Sequence, residues 1–308
     1  MKFGILSAIQ EHYDFEEVME FASANGFQCV ELACWPVEKA ARRYAGVCHL
    51  NVEELDAKRC GEIESICRQK KVEISSLAYY PNIMDEDLEK RAFYGEHLKK
   101  LIAASAELGI GMVTTFIGRM QHKGVKENLA EMEKVWPPLL RYAESKGVKI
   151  GIENCPMLFT EDEWPGGQNL ATSPALFREI FARLDSPNLG LNFDPSHFIW
   201  QQMDYIRPVY EFRDRLFHVH FKDIKLNPDK LREVGIMALP LQYMEPRIPG
   251  MGDVDWNRFI GALTETGYKG AVCLEIEDRA FEGSDEKVKE GILTAARYIR
   301  PFLDGRSR

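Results

Sequence analysis

Four short stretches of this chain place charged or imidazole side chains at the end of otherwise apolar runs. IGIENC carries Glu153, LNFDPSH carries Asp194 and His197, FHVHFKD carries His218, His220, Lys222 and Asp223, and CLEIED carries Glu275, Glu277 and Asp278. A carboxylate at the end of a buried run needs a cation or hydrogen-bond donors, because an unpaired buried charge is costly. Several carboxylates meeting at one place would repel each other, and a divalent metal removes that repulsion. One such residue is ordinarily a loop cap or half of a salt bridge, but four successive runs ending this way point to a shared site. Strand periodicity puts His218 and His220 on one face, and likewise Glu275 and Glu277, so it does not say which member of each pair is a ligand.

The elements that must position these residues follow from a repeated junction. An amphipathic stretch ends in Gly, an apolar or aromatic residue follows, and a β-rich run begins: Gly26-Phe27, Gly109-Ile110, Gly147-Val148 and Gly267-Tyr268. Gly closes a helix in the left-handed conformation and the next residue packs back on its last turn. The strand candidates are Phe3–Ile9, Cys29–Trp35, Val72–Tyr80, Met112–Gly118, Lys149–Cys155, Leu189–Asp194, Leu216–Asp223 and Ala271–Glu277, with helical patterns between them. A helix is expected to kink at Pro137-Pro138, and the stretch Gln201–Tyr210, which contains Pro208, is the least regular. Alternating β and α units without a linker predict one domain over residues 1–308, a single (β/α)8 TIM barrel. The long segments Pro156–Thr172 and Ile224–Gly252 then read as loops after strands 5 and 7. A doubly wound open sheet is the weaker alternative, since no GxGxxG follows the first strand. In a barrel the four charged runs end at the same C-terminal mouth.

Composition narrows the function. The chain has 308 residues, 39 Lys+Arg and 48 Asp+Glu, a net charge of −9 that disfavours nucleic acid as a partner. No apolar run is long enough for a membrane span, and the N-terminal apolar run is too short for a signal peptide. The seven cysteines include no CxxC pair and read as reduced thiols, so a cytoplasmic protein is expected.

The runs IGIENCP, NFDPSHFIW, HVHFKD, IPGMGDVDW and CLEIED resemble the sugar phosphate isomerase/epimerase family of the xylose-isomerase-like TIM barrel superfamily, which also contains AP endonucleases. The resemblance covers nearly the whole chain. It implies one divalent metal, Mn2+ before Co2+, Mg2+ or Zn2+, held by Glu153, Asp194, His220 and Glu275, and it favours His220 over His218 and Glu275 over Glu277. It matches His197 to a substrate-binding histidine. It also implies catalytic roles for Glu153 and Glu275 as base and acid, on opposite sides of a ketose or keto-sugar whose enediolate the metal stabilises. Return of the proton to the other face of the same carbon gives epimerisation, and return to the neighbouring carbon gives aldose–ketose isomerisation.

Further substrate contacts are expected from Glu31, His218, Lys222 and Asp223. Glu31 could bind a sugar hydroxyl or hold Glu153, with a buried salt bridge as the plain alternative; Lys222 and Asp223 could equally form a solvated ion pair. Trp35, Tyr79, Tyr80, Trp164 and Trp200 could stack on a sugar, or simply form the upper core. His49, His97 and His122 read as surface residues, and His12 as a residue near the mouth. The Gly250-Met251-Gly252 turn offers backbone donors for a phosphate, but Asp253 and Asp255 oppose an anion, so an uncharged sugar or keto-glycoside is favoured.

A metal-dependent lyase or deglycosidase of 3-keto-glycosides would use the same residues. An AP endonuclease would need further His ligands where strands two and three end in CW and YY. A barrel that only binds sugar would not need two opposed carboxylates. A small-molecule sugar is therefore the expected partner, with no nucleic acid or membrane, and self-association into a homo-oligomer is allowed.

Overall fold

The computed structural model describes residues 1–37, 45–158 and 166–305. Eight parallel strands close into a barrel: β1 (Lys2–Leu6), β2 (Cys29–Ala33), β3 (Glu73–Ala78), β4 (Met112–Thr115), β5 (Lys149–Glu153), β6 (Leu189–Phe193), β7 (Leu216–Phe221) and, after an excursion, β10 (Ala271–Leu274). β1 pairs with both β2 and β10, which closes the ring. This is the (β/α)8 TIM barrel expected from the alternation of strands and helices. The longer helices around it are α1 (Phe15–Ala24), α2 (Ala57–Lys70), α3 (Leu88–Glu107), α4 (Val125–Lys146), α5 (Pro174–Arg183), α9 (Trp256–Glu265) and α10 (Asp285–Asp304).

The local chemistry is consistent with this order. Gly26, Gly109, Gly147 and Gly267 all have φ between 67° and 75°, the left-handed region a side chain would resist. Asp14 caps α1 in a reciprocal box with Glu17. The strands are buried along most of their length, as expected when helices cover the sheet.

Three expectations are corrected. Residues 224–252 are not a plain loop: β8 (Asp223–Leu226) and β9 (Met244–Arg247) form an antiparallel ribbon, with α8 (Pro228–Val234) between them. No single long helix follows β6: α6 (Ser196–Trp200) precedes the irregular stretch Gln201–Tyr210, and α7 (Arg207–Glu211) covers only its end. His49 and His97 are buried rather than superficial. His49 Nδ1 lies 2.8 Å from Ser7 Oγ and its Nε2 3.1 Å from the Gln10 carbonyl, while His97 Nε2 lies 2.9 Å from the Cys34 carbonyl. Both rings tie loops to the barrel top. Helix α4 runs through Pro137 and Pro138 without interruption. All seven cysteines are free, and among the described residues no helix is long and apolar enough to cross a membrane.

Candidate metal centre

Four strand ends deliver one side chain each to a single point. Glu153 is the last residue of β5, Asp194 follows β6, His220 lies in β7 and Glu275 follows β10. Each offers one ligand atom, and these atoms lie within 4.8 Å of one another. Glu153 Oε1, Asp194 Oδ2, His220 Nδ1 and Glu275 Oε2 are buried and make no hydrogen bond. Three carboxylate oxygens and one imidazole nitrogen converging at one buried spot are a donor set for a cation. The Nδ1 atom of His220 is 2.9 Å from Glu275 Oε2 and 3.7 Å from Glu153 Oε1.

Neighbouring groups fix each ligand. Asn154 bridges the ends of β5 and β6: its Nδ2 donates to the Asp194 carbonyl and its Oδ1 accepts from the Asp194 N–H, both at 2.8 Å. Asn169 Nδ2 donates to the Glu153 carbonyl at 2.9 Å. Asp194 Oδ1 accepts from the Ser196 N–H at 2.7 Å, which leaves Oδ2 for the cluster.

Glu31, in β2, is fully buried and does not reach Glu153 or the cavity lining. Its Oε2 is 2.7 Å from His220 Nε2, and its Oε1 accepts from Thr114 Oγ1 at 2.6 Å and from the Tyr80 hydroxyl. That contact turns Nδ1 toward the other three side chains, and with a cation bound there the ring proton would stay on Nε2. Burial raises the Glu31 carboxyl, but His220 and then His218 outweigh it and bring the group down to about 2. Burial likewise opposes the His220 imidazolium, yet the charges of Glu31 and Glu275 hold it well above the ordinary histidine range. The cluster's electrostatics favour positive charge at its centre.

The two histidines of HVH occupy different depths. His218 Nδ1 lies 3.0 Å from Asn192 Oδ1 and its Nε2 3.1 Å from Ser75 Oγ, and burial lowers its pKa to about 4, so it is a neutral core residue with both nitrogens engaged. The two glutamates of CLEIE also divide. Glu275 joins the ligands, whereas Glu277 sits toward solvent and meets Lys222 Nζ at 2.6 Å. Lys222 is buried, is not a solvated partner of Asp223, and bonds Glu275 Oε1 at 2.8 Å. Burial would raise the Glu275 carboxyl, but Lys222 and His220 outweigh it and hold the group well below the usual range.

Asp223 is turned away from the cavity. Its Oδ1 accepts from the N–H groups of Ile224 and Val254, and its Oδ2 from the Gly250 N–H and Trp256 Nε1, at 2.9–3.1 Å. A Cβ on Gly252 would fall 2.0 Å from this carboxylate. The glycine turn thus wraps one of the protein's own acids, which takes the backbone donor a phosphate would need. Burial pushes Asp223 up to about 6 against these donors.

A cavity of about 680 Å³ opens above the cluster, and Glu153, His197, Lys222 and Glu275 line it. His197 Nε2 is 3.1 Å from Asp194 Oδ2 and 3.5 Å from Glu153 Oε1. Burial disfavours its imidazolium, but Cys155 and Asp194 hold it well above the usual value. Of the aromatic candidates, Trp35, Tyr80 and Trp200 line the cavity. Tyr79 instead packs edge-on to His97 at 4.6 Å, and Trp164 lies outside the described residues. His12 is exposed and outside the lining. The supporting residues Asn154, Asn169, Asn192 and Thr114 have no sequence signal of their own, since neutral amides and hydroxyls recur throughout the chain.

Comparison with known proteins agrees with this architecture. An uncharacterized protein of Bacillus subtilis (strain 168) is 24% identical over 316 residues, spanning 90% of this chain and 93% of that one. An inosose dehydratase of Lactiplantibacillus plantarum is 27% identical over 126 residues, 40% of this chain and 41% of that protein. The crystal structure of a D-tagatose 3-epimerase-like protein superposes with a TM-score of 0.69 at 21% identity, covering 99% of this chain and 97% of the other. A family described as Xylose isomerase-like TIM barrel matches residues 19–301, and the chain belongs to that family.

Proposed function

We propose that this chain is a divalent-metal-dependent sugar isomerase or epimerase that moves a proton on carbon next to a carbonyl of a ketose or keto-sugar. The observation that carries the reading is the convergence of Glu153 Oε1, Asp194 Oδ2, His220 Nδ1 and Glu275 Oε2, all buried and without hydrogen bonds. Three carboxylates and one imidazole suit Mn2+ first, with Co2+, Mg2+ and Zn2+ as further candidates. When bound, such an ion supplies Lewis acidity that stabilises negative charge developing on substrate oxygen.

The protein groups do the rest. Glu153 and Glu275 stand on strands separated in the barrel by β6 and β7, so they approach the cavity from different directions. One takes the proton and the other returns one. Lys222 fixes Glu275 and keeps it ionised. His197 presents Nε2 to a sugar hydroxyl from the wall. We assign Glu31 and His218 to the support of His220, and Asp223 to the support of the segment 250–256.

A dehydratase or lyase is the second reading. It is favoured by the similarity to inosose dehydratases, and Lys222, a buried ammonium beside Glu275, stands where it could hydrogen-bond a departing group. The same deprotonation followed by loss of a neighbouring substituent would also cleave a 3-keto-glycoside. The test is incubation of ketoses, inososes and 3-keto-glycosides in D2O with and without chelator. Chelator-sensitive deuterium uptake beside the carbonyl, without loss of a substituent, is the expected result. Uptake accompanied by release of water or an aglycone moves the assignment to the second reading. Turnover without solvent exchange in any substrate would reject both.

A further inference from the structure

The cavity is larger than one sugar ring requires, and its surface is divided. About 680 Å³ lies in the range of pockets that take drug-sized ligands, and the metal cluster uses only one end of it. Away from the cluster the lining is divided between a charged edge (Glu245, Arg247, Glu277, Asp278, Arg279) and an apolar wall that comes from two sources. Leu6, Trp35 and Phe116 come from the ends of β1, β2 and β4, and Leu239, Leu241 and Met244 from the segment after α8 and the first residue of β9. Leu241 is 47% exposed while lining the void, so it presents apolar surface to the space rather than to the core.

Charge points the same way. Five carboxylates and three cations line the cavity among the described residues. Of those cations, Lys222 is held by Glu275 and Glu277, Arg247 Nε lies 3.0 Å from Asp278 Oδ2, and Arg279 is exposed at the rim. The glycine turn that could have cradled a phosphate is occupied by Asp223. Apart from Arg279 at the rim, an anionic substituent would have to displace a carboxylate from the cation it met, whereas a neutral apolar one would meet matching surface.

We infer that the substrate is an uncharged glycoside: a sugar at the carboxylate cluster, joined to an aromatic or apolar group that rests against Trp35, Phe116, Leu239, Leu241 and Met244. The inference rests on the proposed sugar chemistry for the placement of the sugar end, and it narrows the substrate from free or phosphorylated sugars to aglycone-bearing ones.

Unreactive probes test it without turnover, because simple glycosides lack the carbonyl that the proposed reaction needs. Binding of methyl β-D-glucopyranoside, phenyl β-D-glucopyranoside, glucose and glucose 6-phosphate to the Mn2+-loaded protein would be compared by calorimetry. Phenyl glucoside is expected to bind at least tenfold more tightly than methyl glucoside, and glucose 6-phosphate no more tightly than glucose. Leu241→Asp, at a half-exposed position that does not threaten folding, and Met244→Thr should each bring the phenyl-to-methyl ratio toward one. A wild-type ratio near one, tighter binding of the phosphate, or a tenfold ratio that survives both substitutions would overturn the inference. These outcomes do not depend on solvent exchange: a persistent phenyl preference in a protein that shows no deuterium uptake would reject the proposed reaction and keep the substrate class.

Discussion

The two halves of the barrel mouth solve different problems with the same kind of strand end. Strands β1 to β4 end in Leu6, Ala33, Ala78 and, just beyond Thr115, Phe116, and these pack with Val47, Tyr80 and Met157 into an apolar cluster. Strands β5, β6, β7 and β10 end at Glu153, Asp194, His220 and Glu275, where four buried atoms lack hydrogen bonds. The first half gains stability from apolar burial; the second keeps polar groups whose cost only a cation offsets. Glu31 joins the halves. It belongs to β2, yet it lies beneath the mouth and reaches across the barrel to His220. The difference teaches that the titratable cluster occupies one arc of the ring while the opposite arc supplies rigidity and apolar wall.

The sharpest way to break this comparison is at the two carboxylates proposed to move the proton. Glu153→Gln and Glu275→Gln should each lower turnover by about 10²–10⁴-fold or more, since a ligand and an acid–base group go together. Circular dichroism should show the fold intact. Near wild-type deuterium exchange in either variant would remove that residue from the mechanism.

The histidine pair comes next. His220→Ala should lose the bound metal as measured by mass spectrometry. His218→Ala should keep it and instead cost about 1–3 kcal/mol of stability, because Asn192 and Ser75 each lose a buried partner. Metal lost from His218→Ala and kept by His220→Ala would reverse the assignment of depth within β7.

The reach of Glu31 carries a smaller expected effect. Glu31→Gln keeps the size of the side chain but removes the charge that orients the His220 ring. Metal affinity should fall about 10–100-fold, in the range typical for a carboxylate behind a metal-bound histidine. An unchanged Kd for Mn2+ would mean that Thr114, Tyr80 and Asn192 suffice to hold the ring.

Much of this was legible in the chain. The glycine-closed junctions announce helix ends through a backbone requirement, and the apolar runs announce covered strands, so the barrel and all eight of its strands were readable. The charged strand ends were readable for the same reason, since polar residues stand out in apolar runs. Depth was not. His218 and His220 share a face, and only the stagger of neighbouring strands, including the register shift between Leu191 and Asn192, determines which ring meets the cluster. Asn154 was hidden because an amide beside a glutamate has no pattern. The ribbon of β8 and β9 was hidden because each strand is four residues long and β9 contains Pro246. His49 and His97 were misplaced because their partners are hydroxyls and carbonyls supplied by distant segments.

The smallest expected effect tests the apolar arc on its own terms. Leu6 ends β1, is buried, and borders both the apolar cluster and the cavity. Leu6→Ala removes three side-chain carbons from that cluster, and leucine truncations in cores cost about 2–5 kcal/mol, with the larger values where a sealed void is left. Here the cavity is already open beside the side chain, so water can enter the space, and a loss near 2 kcal/mol is expected. Denaturant titration should show it as a lower midpoint with an unchanged slope. Metal content should stay at the wild-type level, because β1 supplies no ligand to the cluster. A Leu6→Ala protein that loses metal while keeping its stability would show that the two arcs are not separable, and that the apolar half holds the ligands in place rather than merely walling the cavity.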